Sequence, residues 1–263
     1  GIVLAVITGI VILGGLNRIS KTASKMVPAM VVLYFVAVLA ILFINAAEVP
    51  RYLQLIFTDA FAANNYTGDP MFGGMLGALI VLGIRRGAFS NEAGIGTAPM
   101  AHGAAKTEEP IREGLVAMLG PFIDTVIVCT LTALCILVTG VWQTSEANGV
   151  TLTAKAFSDS IPGYGPYVLL VCIAVFSISS LFSYSYYGSK CLAFIFGTRH
   201  KHWYNYFYIA SILIGATTSL DLMINLIDTF FALMAIPTML ATLILAPKVM
   251  QRARQYFTSL DKA

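Results

Sequence analysis

The chain has 263 residues, 58% of them hydrophobic and 11% charged, with a mean hydropathy of +0.81. Soluble domains carry about 25% charged residues, so the composition excludes an ordinary water-soluble fold and places the chain in a membrane. The formal charge of +3 is too small for a nucleic-acid-binding surface. Cys129, Cys135, Cys172 and Cys191 lie in or beside apolar runs with no metal-like spacing, which reads as buried thiols.

Residues 1–15, "GIVLAVITGIVILGG", open inside an apolar run with no initiator Met and no secretory signal. They read as a truncated span, and the chain as a fragment of a longer membrane protein. A spanning helix needs about 20 apolar residues. By that measure 27–45, 114–141, 166–197, 204–219 and 222–247 also read as spans or parts of spans. A further run, 71–84, is short and holds Gly73, Gly74, Gly77 and Gly83. Such a segment fits a discontinuous helix at a transport site and fits close helix packing through small residues equally well.

Basic residues fall on alternate connections. Arg18, Lys21 and Lys25 stand in the first, Arg85, Arg86, Lys106 and Arg112 in the third, Lys190, Arg199 and Lys201 in the fifth, and Lys248, Arg252, Arg254 and Lys262 in the tail. The intervening connections hold only Arg51 and Lys155. This asymmetry predicts that the basic connections and the C-terminus face the cytoplasm. The two base-poor connections, 46–70 and 142–165, contain the amphipathic pieces "YLQLIFTDAF" and "TLTAKAFSDS". These fit lids over the outer mouth, and they fit plain interfacial helices.

The polar passage "RRGAFSNEAGIGTAPMAHGAA", 85–105, follows the short span. Ser90, Asn91 and Glu92 suit the cap of a short helix, and Gly87, Gly94 and Gly96 permit turns. Thr107 and Pro110 read as the start of the next helix, with Glu108 and Glu109 near its positive end. Ser90, His102 and Asp124 are the residue types of a hydrolytic triad, but "GAFSNEAG" lacks a nucleophile-elbow spacing, so an enzyme is not expected. His200 and His202 have no third ligand for a metal site.

The same passage closely resembles the signature of the sodium:alanine (alanine or glycine:cation) symporter family. "MVPAMVVLYF" (26–35), "PFIDTVIVCT" (121–130), "SYYGSKCL" (185–192) and "DTFFALMAIP" (228–237) agree in order. The resemblance covers essentially the whole chain. It implies an all-α membrane protein with the five-plus-five inverted-repeat amino acid transporter fold. The chain would be a single transporter domain supplying part of helix four and helices five to ten, with helices one to three absent. The implied activity is sodium-coupled symport of a small neutral amino acid, alanine or glycine, by alternating access in the plasma (inner) membrane. Sodium would be the coupling ion, with no cofactor and no nucleic acid. A proton-coupled or broader-specificity permease is the alternative. An ion channel is a more distant one, since no repeated polar ring lines a pore.

The resemblance also places substrate against broken helix six, the short span here. The break would be "FGGMLG", with Phe72 walling the pocket and Met75, Leu76 and Gly77 lining it. Met75 stands where the family often has a smaller or polar residue. Helix eight reads "VFSISSLFSYSYYG", in which Ser177, Ser180, Tyr184 and Tyr187 recur at three- and four-residue steps. This stripe fits a ligand face, and it fits helix–helix hydrogen bonding. Ser180 and Tyr184 stand where the family commonly has Thr and Trp, and join the expected substrate site. Ser179 and Ser180 are the expected ion ligands. Ser90, Asn91, Glu92 and Gly94 are the expected hinge of the inner gate. Asp124 and Asp228 lie within spans, where carboxylates default to functional hypotheses. Asp124 suits a pairing with a neighbouring helix, and Asp228 a gate or proton path. Pro237 should kink the last span; Thr238 follows it where the family usually has Asn.

Overall fold

The computed structural model describes residues 1–61, 70–147 and 149–260; at 16, 17, 59–61, 70–77 and 201 only the backbone is described. Among the described residues the chain is helical and forms no strand. The helices in order are α1 (Ile2–Ile12), α2 (Gly15–Ile44), α3 (Val49–Phe61), α4 (Pro70–Asn91), α5 (Thr97–His102) and α6 (Pro110–Pro121). A π-helical segment, Phe122–Cys129, joins α6 to α7 (Thr130–Val138). Then come α8 (Val141–Thr144), α9 (Val150–Ser160), α10 (Gly165–Phe196), a 3-10 turn (Thr198–His200), α11 (Lys201–Gly215) and α12 (Leu220–Leu260).

Among the described residues four stretches are long and apolar enough to cross a membrane: Arg18–Ile44, Pro110–Val138, Gly165–Phe196 and Leu220–Leu260. The most apolar window of α12 has no buried residue, and large apolar side chains such as Phe43, Phe194 and Ile244 stand open. Water would not tolerate so much exposed hydrocarbon, whereas lipid is its natural solvent. At about 1.5 Å per residue the 41-residue α12 is about 60 Å long, roughly twice a bilayer's hydrocarbon core. Its basic end, with Lys248, Arg252 and Arg254, therefore extends past the lipid.

The chain divides into two compact units. The larger comprises 2–79 and 127–210. Its core gathers Val38 and Ile41 of α2, Tyr52 of α3, Leu134 and Cys135 of α7, Ala156 and Phe157 of α9 and Leu169 of α10. Tyr34 of α2 hydrogen-bonds Thr132 of α7 and stacks on Phe157, with ring centroids 6.2 Å apart. Both amphipathic pieces are thus helices, α3 and α9. Tyr52 of α3 and Ala156 and Phe157 of α9 are buried against the bundle, whereas Leu53, Leu55, Ile56 and Phe57 of α3 are exposed. A second cluster joins Ile12, Ile19 and Phe182. Beside it the Tyr208 hydroxyl donates to the Leu181 carbonyl at 2.9 Å.

The smaller unit comprises Gly1, 80–126 and 211–263. It holds the end of α4, α5, α6 and α12, and with them the polar passage.

Candidate functional site

The polar passage is where a helix stops and restarts. α4 ends at Asn91 and α5 begins at Thr97. Between them Glu92, Gly94 and Gly96 take left-handed backbone angles, with φ of 55°, 81° and 104°. A left-handed conformation costs a residue with a Cβ about 1–2 kcal/mol, so at Glu92 the surroundings must hold it. They do: the Asn91 side-chain oxygen accepts from the Ala93 N–H at 2.9 Å, and the Ile95 N–H donates to the Glu92 carbonyl at 3.3 Å.

This corrects the sequence-based expectation. The unwound segment predicted at Phe72–Gly77 does not form, because α4 is continuous from Pro70 to Asn91. Glycines weaken a helix, but a helix in lipid keeps its own ladder unless something else takes the freed groups. At 92–96 the side chain of Asn91 and the hydroxyl of Thr238 do so. The side chains of Phe72, Met75 and Leu76 lie outside what is described, and at Gly77 only the backbone is described.

Side chains tie the broken region to its neighbours within the smaller unit. The Ser90 hydroxyl donates to the Asp124 carboxylate at 2.7 Å. The Asn91 amide donates to the Thr125 hydroxyl at 2.9 Å. Asp124 and Thr125 are adjacent in sequence, and the π-helical segment presents both to the end of α4. π-helical turns recur at functional sites. Ser90 therefore does not cap a helix as expected, and Asn91 caps the end of α4 rather than the start of α5, whose N-cap residue is Gly96. Thr238 of α12 reaches the Ile95 carbonyl at 3.2 Å and its own Met234 carbonyl at 2.9 Å; its single hydrogen serves one at a time. Thr97, on the far lip of the break, is buried and its hydroxyl has no hydrogen-bond partner.

His102 is elsewhere: its Nδ1 lies 2.7 Å from the Glu113 carboxylate. It joins α5 to α6, and no Ser–His–Asp relay is assembled. α6 begins as predicted, with Pro110 in its first turn.

Asp228 of α12 is 5% exposed. Arg85 pairs with it, and Arg86 stands 3.6 Å from its other oxygen. Arg85 also lies over the Phe89 ring, which meets Phe231 edge-on at 5.1 Å. The two arginines are thus inside α4, not in a connection; by the same bounds Arg112 lies in α6 and Arg18, Lys21 and Lys25 in α2, which leaves Lys106 alone of the third connection's four basic residues outside a helix.

In the larger unit, Ser179, Ser180 and Tyr184 sit midway along α10. Ser179 is buried, and its hydroxyl donates to the Phe176 carbonyl at 2.8 Å. Ser180 and Tyr184 are half-buried, and Tyr184 meets Tyr187 edge-on. Ser177 is exposed. The buried stripe of α10 is instead Cys172, Ser179, Phe182, Ser185, Tyr186 and Ser189. Ser185 and Ser189 bond back to their own helix at 2.7 and 2.8 Å, the ordinary way for a hydroxyl to be satisfied in lipid. Their spacing from Ser179 was the available signal. Among the described residues no three His, Cys, Asp or Glu gather for a metal ion.

Apolar helices exposed to lipid, one of them broken around polar side chains, define a multi-pass helical membrane protein. The chain belongs to the sodium:alanine symporter family, whose profile matches residues 1–263. It is similar to the sodium/alanine symporter AgcS of Methanococcus maripaludis, 38% identical over 97% of this chain and 56% of the relative. It is also similar to the probable sodium/glutamine symporter GlnT of Bacillus subtilis, 33% identical over 100% of this chain and 54% of the relative. A sodium/proton-dependent alanine carrier protein of a Bacillus species is 32% identical over 82% of this chain and 51% of the relative. The chain spans about half the length of these relatives.

Proposed function

We propose that the protein is a secondary active transporter that symports a small neutral amino acid, alanine or glycine, with sodium. The observation that carries this reading is the interrupted helix α4–α5. Its main chain is released from the helical ladder at 92–96, beside side-chain oxygens. Substrate would displace the Asn91 and Thr238 contacts to the Ala93 N–H and the Ile95 carbonyl; released in that way, such a segment offers N–H groups to a carboxylate and C=O groups to an ammonium or a cation. A zwitterion can be held this way without a dedicated charged side chain.

The substrate role expected for Phe72, Met75, Leu76 and Gly77 rested on a break there. In this reading the grip passes to 92–96. Ser180 and Tyr184 of α10 remain proposed substrate contacts, and Ser179 and Ser180 proposed ion ligands. Ser90, Asn91, Glu92 and Gly94 become both grip and hinge. Substrate and ion together favour an occluded state, from which the carrier opens to the cytoplasm. The basic connections and the C-terminus face that side.

The relatives' names support sodium coupling and an amino acid cargo. One name includes protons, which gives the proton-coupled alternative its footing. Radiolabelled alanine uptake by the full-length protein, with sodium replaced by choline, separates the two. Uptake should fall to background in choline and be competed by glycine more strongly than by glutamine. Uptake that persists in choline and follows a pH gradient would replace this reading with the proton-coupled one.

A further inference from the structure

We infer that Asp124, with Ser90 and the open end of α4, forms a binding site for a sodium ion. The inference rests on the sodium-coupled reading above and adds a site distinct from Ser179 and Ser180.

Asp124 lies fourteen residues from either end of the Pro110–Val138 span, which puts its carboxylate at mid-bilayer. An ionised carboxylate at that depth is costly unless a cation meets it. Among the described residues none does. The ion pairs found there are Arg51–Glu48, Arg85 and Arg86 with Asp228, and His102–Glu113. Both arginines of α4 are turned to Asp228, so the two acids in spans differ: among the described residues Asp228 is matched by cationic side chains and Asp124 by none.

The side chain that meets Asp124 is a hydroxyl, that of Ser90. Ser90 donates its hydrogen to the carboxylate, which leaves the lone pairs of its Oγ for a ligand. The Ala93 and Ile95 N–H groups, which would otherwise close on the Phe89 and Asn91 carbonyls, are taken by the Asn91 side chain and the Glu92 carbonyl. The carbonyl end of a 22-residue helix is therefore open beside the acid, and its dipole favours a cation. On the far lip, the buried Thr97 hydroxyl has no hydrogen-bond partner. Carboxylate, hydroxyl and carbonyl oxygens with no nitrogen or sulfur are the donor set of a hard cation. One negative charge suits a monovalent ion. An ion there would bridge the π-helical segment to the broken helix, and so link sodium binding to the shape of the proposed substrate grip.

The test uses the purified full-length protein. Asp124→Asn keeps one oxygen to accept from Ser90, removes the charge and turns the other oxygen into an NH2 donor. Thermal stability is read in sodium chloride and in choline chloride at equal ionic strength, and the half-saturating sodium concentration is read from alanine uptake. The wild type should be stabilised by sodium. Asp124→Asn should lose that stabilisation and raise the half-saturating sodium at least about tenfold. Asp124→Glu should recover part of both. Should Asp124→Asn fail to fold, Ser90→Ala, which leaves the carboxylate, should still raise half-saturating sodium several-fold. A variant with wild-type sodium responses in both assays overturns the site, as does an Asp124→Asn protein that loses only its pH response. A wild type indifferent to sodium would instead overturn the coupling reading itself.

Discussion

Replacing Gly96 by valine should reduce alanine uptake to background, a fall of about 100-fold or more, with the protein still present in the membrane. Two independent costs meet at this position. Its φ of 104° lies where a β-branched residue is strongly disfavoured. In addition, a Cβ built there falls 2.6 Å from the Thr238 hydroxyl oxygen, the group that reaches the Ile95 carbonyl. The valine must either push α12 away or straighten the break. Two such penalties of about 1.4 kcal/mol or more each correspond to tenfold apiece in a transport step. Gly94→Ala is the internal comparison. Its φ of 81° is also left-handed, but the Cβ meets only the Met239 sulfur at 3.5 Å, an ordinary contact. Its uptake should fall by about tenfold. Initial rates normalised to surface-labelled protein decide the matter. Equal activity in both variants would mean that the break carries no strain-dependent role.

The second large effect falls on stability. Asp228→Asn removes the one carboxylate facing Arg85 and Arg86 and leaves two cations together. Breaking a buried pair costs about 3–5 kcal/mol. The arginines are 44% and 53% exposed, so screening brings the expected loss to about 2 kcal/mol. For a chain of this size that is a fall in Tm of about 4–8 °C. The pairing has a sharper signature than the loss itself. Adding Arg85→Gln to Asp228→Asn should restore part of the stability, because it removes one unmatched charge. A double variant less stable than the single one would show that the aspartate acts through packing and not through charge.

Much of the architecture was legible before any coordinates. The apolar runs at 166–197 and 222–247 match α10 and the first part of α12, because an apolar stretch of spanning length has one economical conformation in lipid. The amphipathic pieces at 52–61 and 151–160 are helices; Tyr52, Ala156 and Phe157 are in the core, while Leu53, Leu55, Ile56 and Phe57 are exposed. The break was legible in kind but not in place. Sequence reasoning followed the glycines of 71–84, whereas what opens a helix is a set of partners for its released groups. The Asn91 side chain and, 143 residues from Ile95, Thr238 meet main-chain groups of the break, while Asp124 and Thr125, each 34 residues away, hold the Ser90 and Asn91 side chains beside it. Asp124, Thr125 and Thr238 are beyond any local pattern. The same blindness put Arg85 and Arg86 in a loop, since Asp228 lies 143 residues from Arg85. On α10 the hydroxyls of Ser177, Ser180, Tyr184 and Tyr187 and those of Ser179, Ser185 and Ser189 have similar helical spacings. Only packing distinguishes the inner face.

The account turns on released main chain at 92–96 meeting the substrate, and the exposed Ala93 within it offers a direct reading. With the native cysteines of the full-length protein replaced, an Ala93→Cys variant should react with a small thiol reagent several-fold more slowly when alanine and sodium are both present than with either alone. A labelling rate unchanged by alanine plus sodium, in a protein that still transports, would contradict it.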